Sequence, residues 1–327
     1  MKIRSLGLRA AVAICLSAGL GGFAMAAANQ SAKKIPVILD TDIGDDIDDT
    51  WALGMLLKCP ELDLKLVVGD FGRAQYRAKL LAKFLQTVGR ADVAVGVGLD
   101  GDPRGEGAQA PWVKDYDLKS YPGKVHQDGV QALIDTIMQS KDKITLLCIG
   151  PAPNIAAALE REPRIAQRAR FVGMYGSIKQ GYSGRPRPSG EWNVKKDVKA
   201  CQKVFAAPWE MTITPLDTCG IVTLDGERYK KVRDSKDIVA VTIIENYRMW
   251  NKNKAAAEER SSVLFDCVAV YLAFSLEFCK MERLGIGITD GGMTVIDDKA
   301  KAVDMATEWK NKDAFLDLLV ARLTGAK

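Results

Sequence analysis

Short apolar runs recur along this chain, most of them beside a Gly or Pro, and stretches of helical periodicity follow them. The runs fall at residues 35–39 (IPVIL), 64–68, 93–97, 144–149, 171–174 and 211–214. A strand that is apolar throughout needs cover on both faces, which is the situation inside a parallel sheet between two helical layers. Helical patterns are predicted at 48–58, 76–88, 128–139, 154–159, 194–206, 238–251, 265–278 and 306–323. This alternation predicts an α/β fold: an open, mostly parallel, doubly wound sheet with helices on both faces. With 47% hydrophobic and 27% charged residues the composition is that of a globular protein. No repeat, low-complexity block or linker interrupts residues 27–327, which are expected to form a single domain. Residues 176–190 (GSIKQGYSGRPRPSG) are the longest irregular stretch and have the composition of a mobile active-site loop.

Residues 1–26 have a different character. Lys2, Arg4 and Arg9 precede an apolar stretch that ends in Ala24-Met25-Ala26, with no acid among them. That pattern predicts a cleavable secretory signal peptide, too short and glycine-broken for a comfortable membrane span. The expected location is therefore secreted or periplasmic, with no membrane attachment after leader removal. Removing those three cations from the 46 Lys and Arg leaves 43 against 41 acids, a charge of about +2. Bulk charge thus gives no support for nucleic-acid binding.

Six cysteines follow the leader, at 59, 148, 201, 219, 267 and 279, without any Cys-x-x-Cys, and the chain has one histidine. A zinc site is not expected from this set. Cys148 and Cys267 sit in apolar runs and read as small buried hydrophobes; spacing alone fixes no disulfide pairing.

The first apolar run ends in LDTDIGDDIDD, which places Asp40, Asp42, Asp45, Asp46, Asp48 and Asp49 within ten residues. In an open parallel sheet, ligands bind beyond the carboxyl ends of the strands. Six carboxylates there repel one another unless a cation or solvent separates them, and a hard divalent cation with oxygen ligands is the natural compensation. Gly44 permits the turn, and Asp48 and Asp49 open a helix whose dipole favours negative charge. The competing structural reading makes these acids helix caps and solvated loop residues. An EF-hand is excluded because Trp51 stands where the closing Glu belongs.

The acid loop resembles that of the nucleoside hydrolase (inosine-uridine preferring N-ribohydrolase) family, with its Asp-x-Asp-x-Gly-x-Asp-Asp signature. This chain has Asp40-Thr41-Asp42-Ile43-Gly44, then Asp48-Asp49, two residues further on than the commonest spacing. The resemblance continues through His126-Gln127-Asp128-Gly129, Gly150-Pro151-Ala152-Pro153-Asn154, Glu191-Trp192-Asn193, Asp266 and Gly292-Met293-Thr294-Val295. Any one of these motifs is weak; five in order are specific.

The resemblance implies an exported Ca²⁺-dependent hydrolase that cleaves the N-glycosidic bond of ribonucleosides to ribose and free base. It implies Asp42, Asp49, Asp266 and the backbone carbonyl of Ile149 as metal ligands, an all-oxygen shell suited to Ca²⁺, with Asp42 also the general base for the attacking water. Asp48, Glu191 and Asn193 are implied as ribose-binding groups, and Asp40 as a support behind them. The two extra residues leave the assignment among Asp46, Asp48 and Asp49 open. His126 either approaches the base or caps the helix that follows it. Trp192, Trp250 and Tyr247 either stack on a nucleobase or pack in the core. Two departures stand out. Phe265 occupies the position where many relatives place a proton-donating His before the last metal aspartate, and Asp70 stands where many carry Asn. The expected partner is a small-molecule ribonucleoside, and a homo-oligomer is the default for the family. A non-catalytic riboside- or sugar-binding protein on the same fold stays open as the alternative. A sugar-phosphate phosphatase is weaker, because no Gly-x-x-x-x-Gly-Lys phosphate loop is present.

Overall fold

The computed structural model describes residues 33–101 and 105–325; the predicted leader lies outside the described residues. Ten strands form the sheet: β1 (Ile35–Thr41), β2 (Leu62–Gly69), β3 (Ala94–Val97), β4 (Val125–His126), β5 (Ile144–Cys148), β6 (Ala169–Met174), β7 (Met211–Thr214), β8 (Cys279–Ile288), β9 (Thr294–Ile296) and β10 (Ala302–Trp309). Their spatial order is β4-β3-β2-β1-β5-β6-β7-β10-β8-β9. The ladder from β4 across to β10 is parallel throughout, and β8 runs antiparallel to both β10 and β9.

Alternating side chains of the central strands feed two separate cores, as a sheet covered on both faces requires. Val37 and Leu39 of β1 pack with Trp51, Leu53 and Phe84, whereas Ile38 between them packs with Leu146 and Ile155 on the other face. Each such buried side chain contributes on the order of 2 kcal/mol. The chain builds outward from β1 to β4, then returns to place β5 on the other side of β1. The strand order therefore reverses between β1 and β5, and a crevice opens beyond their carboxyl ends. Asp40 pairs with Cys148 across that boundary, and the Ile149 N–H donates to the Asp40 carbonyl (3.0 Å).

Several elements depart from the sequence-based expectation. The helix predicted at 306–323 is the strand β10 followed by the helix Lys312–Thr324. The 194–206 helix is two, Trp192–Lys196 and Val198–Ala206, because Asp197 leaves helical geometry and its carboxylate caps the second by accepting from the Ala200 N–H. The 265–278 helix stops at Leu272. The loop 176–190 is tethered: the Asp217 carboxylate accepts the backbone N–H groups of Ile178, Lys179 and Gln180, and the Ser177 hydroxyl accepts that of Ser189. All six cysteines from Cys59 onward are buried and unpaired. Among the described residues no helix is long and apolar enough to cross a membrane.

Candidate active site

A cavity of about 860 Å³ lies at the reversal between β1 and β5. Its acidic walls carry Asp42, Asp45, Asp46, Asp48, Asp49, Asp266 and Glu191, and its aromatic lining comes from Tyr182, Trp192, Trp250 and Phe265.

The acids arrive from three chain segments. Asp42 follows β1 directly. Gly44, at φ +108°, turns the loop, and its carbonyl accepts from the Tyr76 hydroxyl (3.2 Å). Asp48 and Asp49 occupy the first turn of the helix Asp48–Lys58, where no side chain caps the N-terminus and the helix dipole favours their charge. Asp266 opens the helix Phe265–Leu272, and its backbone N–H reaches Asp48 at 3.4 Å. Each of Asp48, Asp49 and Asp266 places a carboxylate oxygen within 4.8 Å of the others, and all three are buried. The Thr41 hydroxyl donates to Asp49. Glu191 caps the helix Trp192–Lys196 by accepting the N–H groups of Asn193 (2.7 Å) and Val194 (3.2 Å), and it also accepts that of Gly176 (3.1 Å). The Asn193 amide donates to the carbonyls of Ile149 (3.1 Å) and Met174 (3.0 Å), which ties β5 to β6 and leaves its oxygen as an acceptor.

Burial dominates the electrostatics. It pushes the Asp42 carboxyl up to about 7 against the opposing Arg77 guanidinium, with Asp70 and Asp45 adding to the rise. Burial, opposed by the three backbone N–H groups it accepts, raises Glu191 to about 7. Burial first, and then repulsion from neighbouring acids, holds Asp48, Asp49 and Asp266 well above the usual carboxylate range. Three clustered, desolvated carboxylates with no His or Cys among them match a hard, oxygen-seeking divalent cation. The donor set fits that group.

The placement sorts the sequence-derived candidates. Asp42, Asp48, Asp49, Ile149, Glu191, Asn193 and Asp266 share the cavity. The tight trio includes Asp48, which the family pattern put with the ribose group; Asp42 lies on the same wall outside it. Asp46 lines the cavity while its carboxylate accepts the N–H of Ile47. Asp40 lies behind, accepting from Asn154 (2.9 Å), with the equally buried Asp70 carboxylate beside it. His126 requires a correction: it does not line the cavity. It sits on the edge strand β4, and β3 and β2 separate that strand from β1. It does not cap the helix Gly129–Gln139 either, since Asp128 does so by accepting from the Gln131 N–H (2.9 Å). Trp192 and Trp250 line the cavity, whereas Tyr247 is buried and stacks beneath Trp250 at 6.1 Å.

Two residues escaped the sequence reading. Arg77, buried in the helix Ala74–Thr87, donates to the carbonyls of Phe71, Asp42 and Ile43 and pairs with Asp45 at 3.1 Å. Tyr182 lines the cavity from the loop after β6. An Arg at helical spacing looks like a surface residue, and a Tyr in an irregular segment carries no periodic signal, so neither was legible.

Fold and site together define an α/β protein whose carboxylates gather at a sheet's topological switch point. The profile of the family described as "Inosine-uridine preferring nucleoside hydrolase" matches residues 37–317, and the chain belongs to that family. It is 24% identical over 322 residues to a pyrimidine-specific ribonucleoside hydrolase, RihA, of Klebsiella pneumoniae subsp. pneumoniae, covering 88% of this chain and 98% of the relative. It is 32% identical over 204 residues to a non-specific ribonucleoside hydrolase, RihC, of the same organism, covering 56% of this chain and 62% of the relative. In three dimensions it resembles a plant nucleoside hydrolase, PpNRh1, with a TM-score of 0.77 at 20% identity over 89% of this chain and 99% of the other. The protein is a ribonucleoside hydrolase, an enzyme of N-glycosidic bond hydrolysis.

Proposed function

We propose that this chain is exported and that, after loss of residues 1–26, it acts as a Ca²⁺-dependent hydrolase releasing ribose and free base from ribonucleosides. The observation that carries the calcium reading is the buried trio Asp48, Asp49 and Asp266 beside Asp42. The trio, with Asp42 and the Ile149 carbonyl on the same wall, would hold the ion. When bound, the cation supplies positive charge that keeps these carboxylates ionised and attracts the ribose hydroxyls.

The chain's own groups do the rest. Asp42 takes the proton of the attacking water; its position on the acidic wall beside the trio suits a general base. Glu191 and the Asn193 oxygen accept ribose hydroxyls, and an analogue lacking a hydroxyl would leave those acceptors unpaired. Trp192 and Trp250 offer aromatic faces to the base. Export rests on the leader's charge and apolar pattern.

The test is ribose release from uridine, cytidine and inosine by the mature protein, with Ca²⁺ and with a chelator. Release that stops on chelation, returns with Ca²⁺ and vanishes in Asp42→Ala supports the proposal. Release indifferent to chelation removes the calcium part. Riboside binding without any ribose release restores the binding-protein alternative. Export is checked by cell fractionation and by sequencing the mature amino terminus, expected at Ala27.

A further inference from the structure

We propose that Tyr182 donates the proton that the departing base needs, an assignment that rests on the hydrolase reading above. Cleavage of the C1′–N bond leaves its electron pair on the base, and a base anion departs poorly at neutral pH, so the site requires an acidic hydrogen directed at it. The side chain just before Asp266 is Phe265, which offers none. Its ring meets the Tyr182 ring edge-on, with centroids 6.0 Å apart at 82°. Both rings line the cavity with Trp192 and Trp250, the surface on which a planar base finds aromatic faces.

The Tyr182 oxygen accepts the Trp192 backbone N–H at 2.8 Å. That bond uses a lone pair and leaves the phenolic hydrogen available, since a hydroxyl both donates and accepts. Among the described residues none accepts it. The same N–H stabilises the phenolate that forms as the proton leaves, working against burial and the nearby Glu191 and Asp46, which push the phenol above its ordinary value. The residue is also held in place, in the short turn Tyr182–Gly184 of a loop that Asp217 tethers.

The step balances as follows. The water oxygen bonds to C1′ and its proton passes to Asp42. The C1′–N electron pair stays on the base, which takes the Tyr182 hydroxyl proton. Asp42 then releases its proton to solvent and the phenolate recovers one. The sum is riboside and water giving ribose and neutral base.

Lys195 and Lys196 also line the cavity, with the Lys196 ammonium 4.2 Å from the Trp192 ring centroid, so Lys195→Met serves as the comparison. The experiment measures kcat and KM of the parent, Tyr182→Phe and Lys195→Met, on uridine, inosine and 4-nitrophenyl riboside, whose leaving group needs no proton. Tyr182→Phe keeps the ring and its edge contact. The expected result is a fall of roughly 100-fold in kcat on the ribonucleosides, about the size of one general-acid contribution, with little change in KM or on the nitrophenyl riboside. Equal losses on both substrate types, no loss on either, or the leaving-group signature in Lys195→Met instead would overturn the proposal. So would a parent that cleaves the nitrophenyl riboside and no ribonucleoside. A parent that cleaves neither brings down the hydrolase reading itself, which keeps the two failures distinct.

Discussion

Arg77 is 2% exposed, and it gives its N–H groups to three backbone carbonyls and the Asp45 carboxylate. One of those carbonyls belongs to Phe71, held at a left-handed φ of 44°, so the guanidinium helps maintain a strained backbone beside Asp70. Gly72 leaves the room for this, since a Cβ there would lie 2.7 Å from the Arg77 Nη2. Removing the cation strands several buried acceptors at once. Arg77→Met is expected to lower unfolding stability by about 3–5 kcal/mol, the usual loss when one partner of a buried charged network is deleted, as measured by urea denaturation. Arg77→Lys should recover only part of it, because an ammonium cannot span the fork of acceptors. Asp42→Asn removes the proton acceptor while keeping the shape. Its kcat should fall by roughly 10²- to 10⁴-fold while riboside binding, followed by calorimetry, persists.

At the scale of elements, Glu191 joins the helix Trp192–Lys196 to the cavity. The family resemblance implies ribose binding for this residue, and the structure gives the one carboxylate both the helix cap and a place on the cavity wall. Glu191→Ala is accordingly expected to cost about 1–2 kcal/mol through the lost cap and also to raise riboside KM, a joint effect read by urea titration and steady-state kinetics. Most central strands and helices were legible because their apolar residues have a clear period. β8 and β10 were not. β8 carries Lys280, Glu282 and Arg283, and β10 carries Asp304 and Glu308, so neither reads as a buried run. Their antiparallel pairing sets the register, with Asp304 opposite Arg283 and Glu308 opposite Lys280. Cross-strand partners of that kind lie far apart in sequence, out of reach of a local pattern.

Across the whole molecule, the site's buried carboxyls link stability to pH and metal. Asp42 and Glu191 rise from 3.8 and 4.5 to about 7 on folding, so between those limits the folded protein holds more protons than the unfolded chain. Their contribution to stability is then full at low pH and lost as pH rises through 7. The melting temperature in chelator should drop between pH 5 and pH 8, and excess Ca²⁺ should cancel or reverse the drop by binding the ionised carboxylates. A melting curve indifferent to Ca²⁺ at pH 8 would contradict this.

The sequence by itself determined the doubly wound sheet, the acid loop at the end of its first strand and the motifs that place the chain in its family. These are local signals, written in periodicity and in short spacings. Only the tertiary structure decided that Asp48 sits in the tight trio with Asp49 and Asp266, that His126 stands at the far edge of the sheet, and that Arg77 and Tyr182 belong to the site. Which side chains share a desolvated space depends on strand order and loop paths, and contacts across more than 200 residues, such as Asp48 with Asp266, leave no trace in a local pattern.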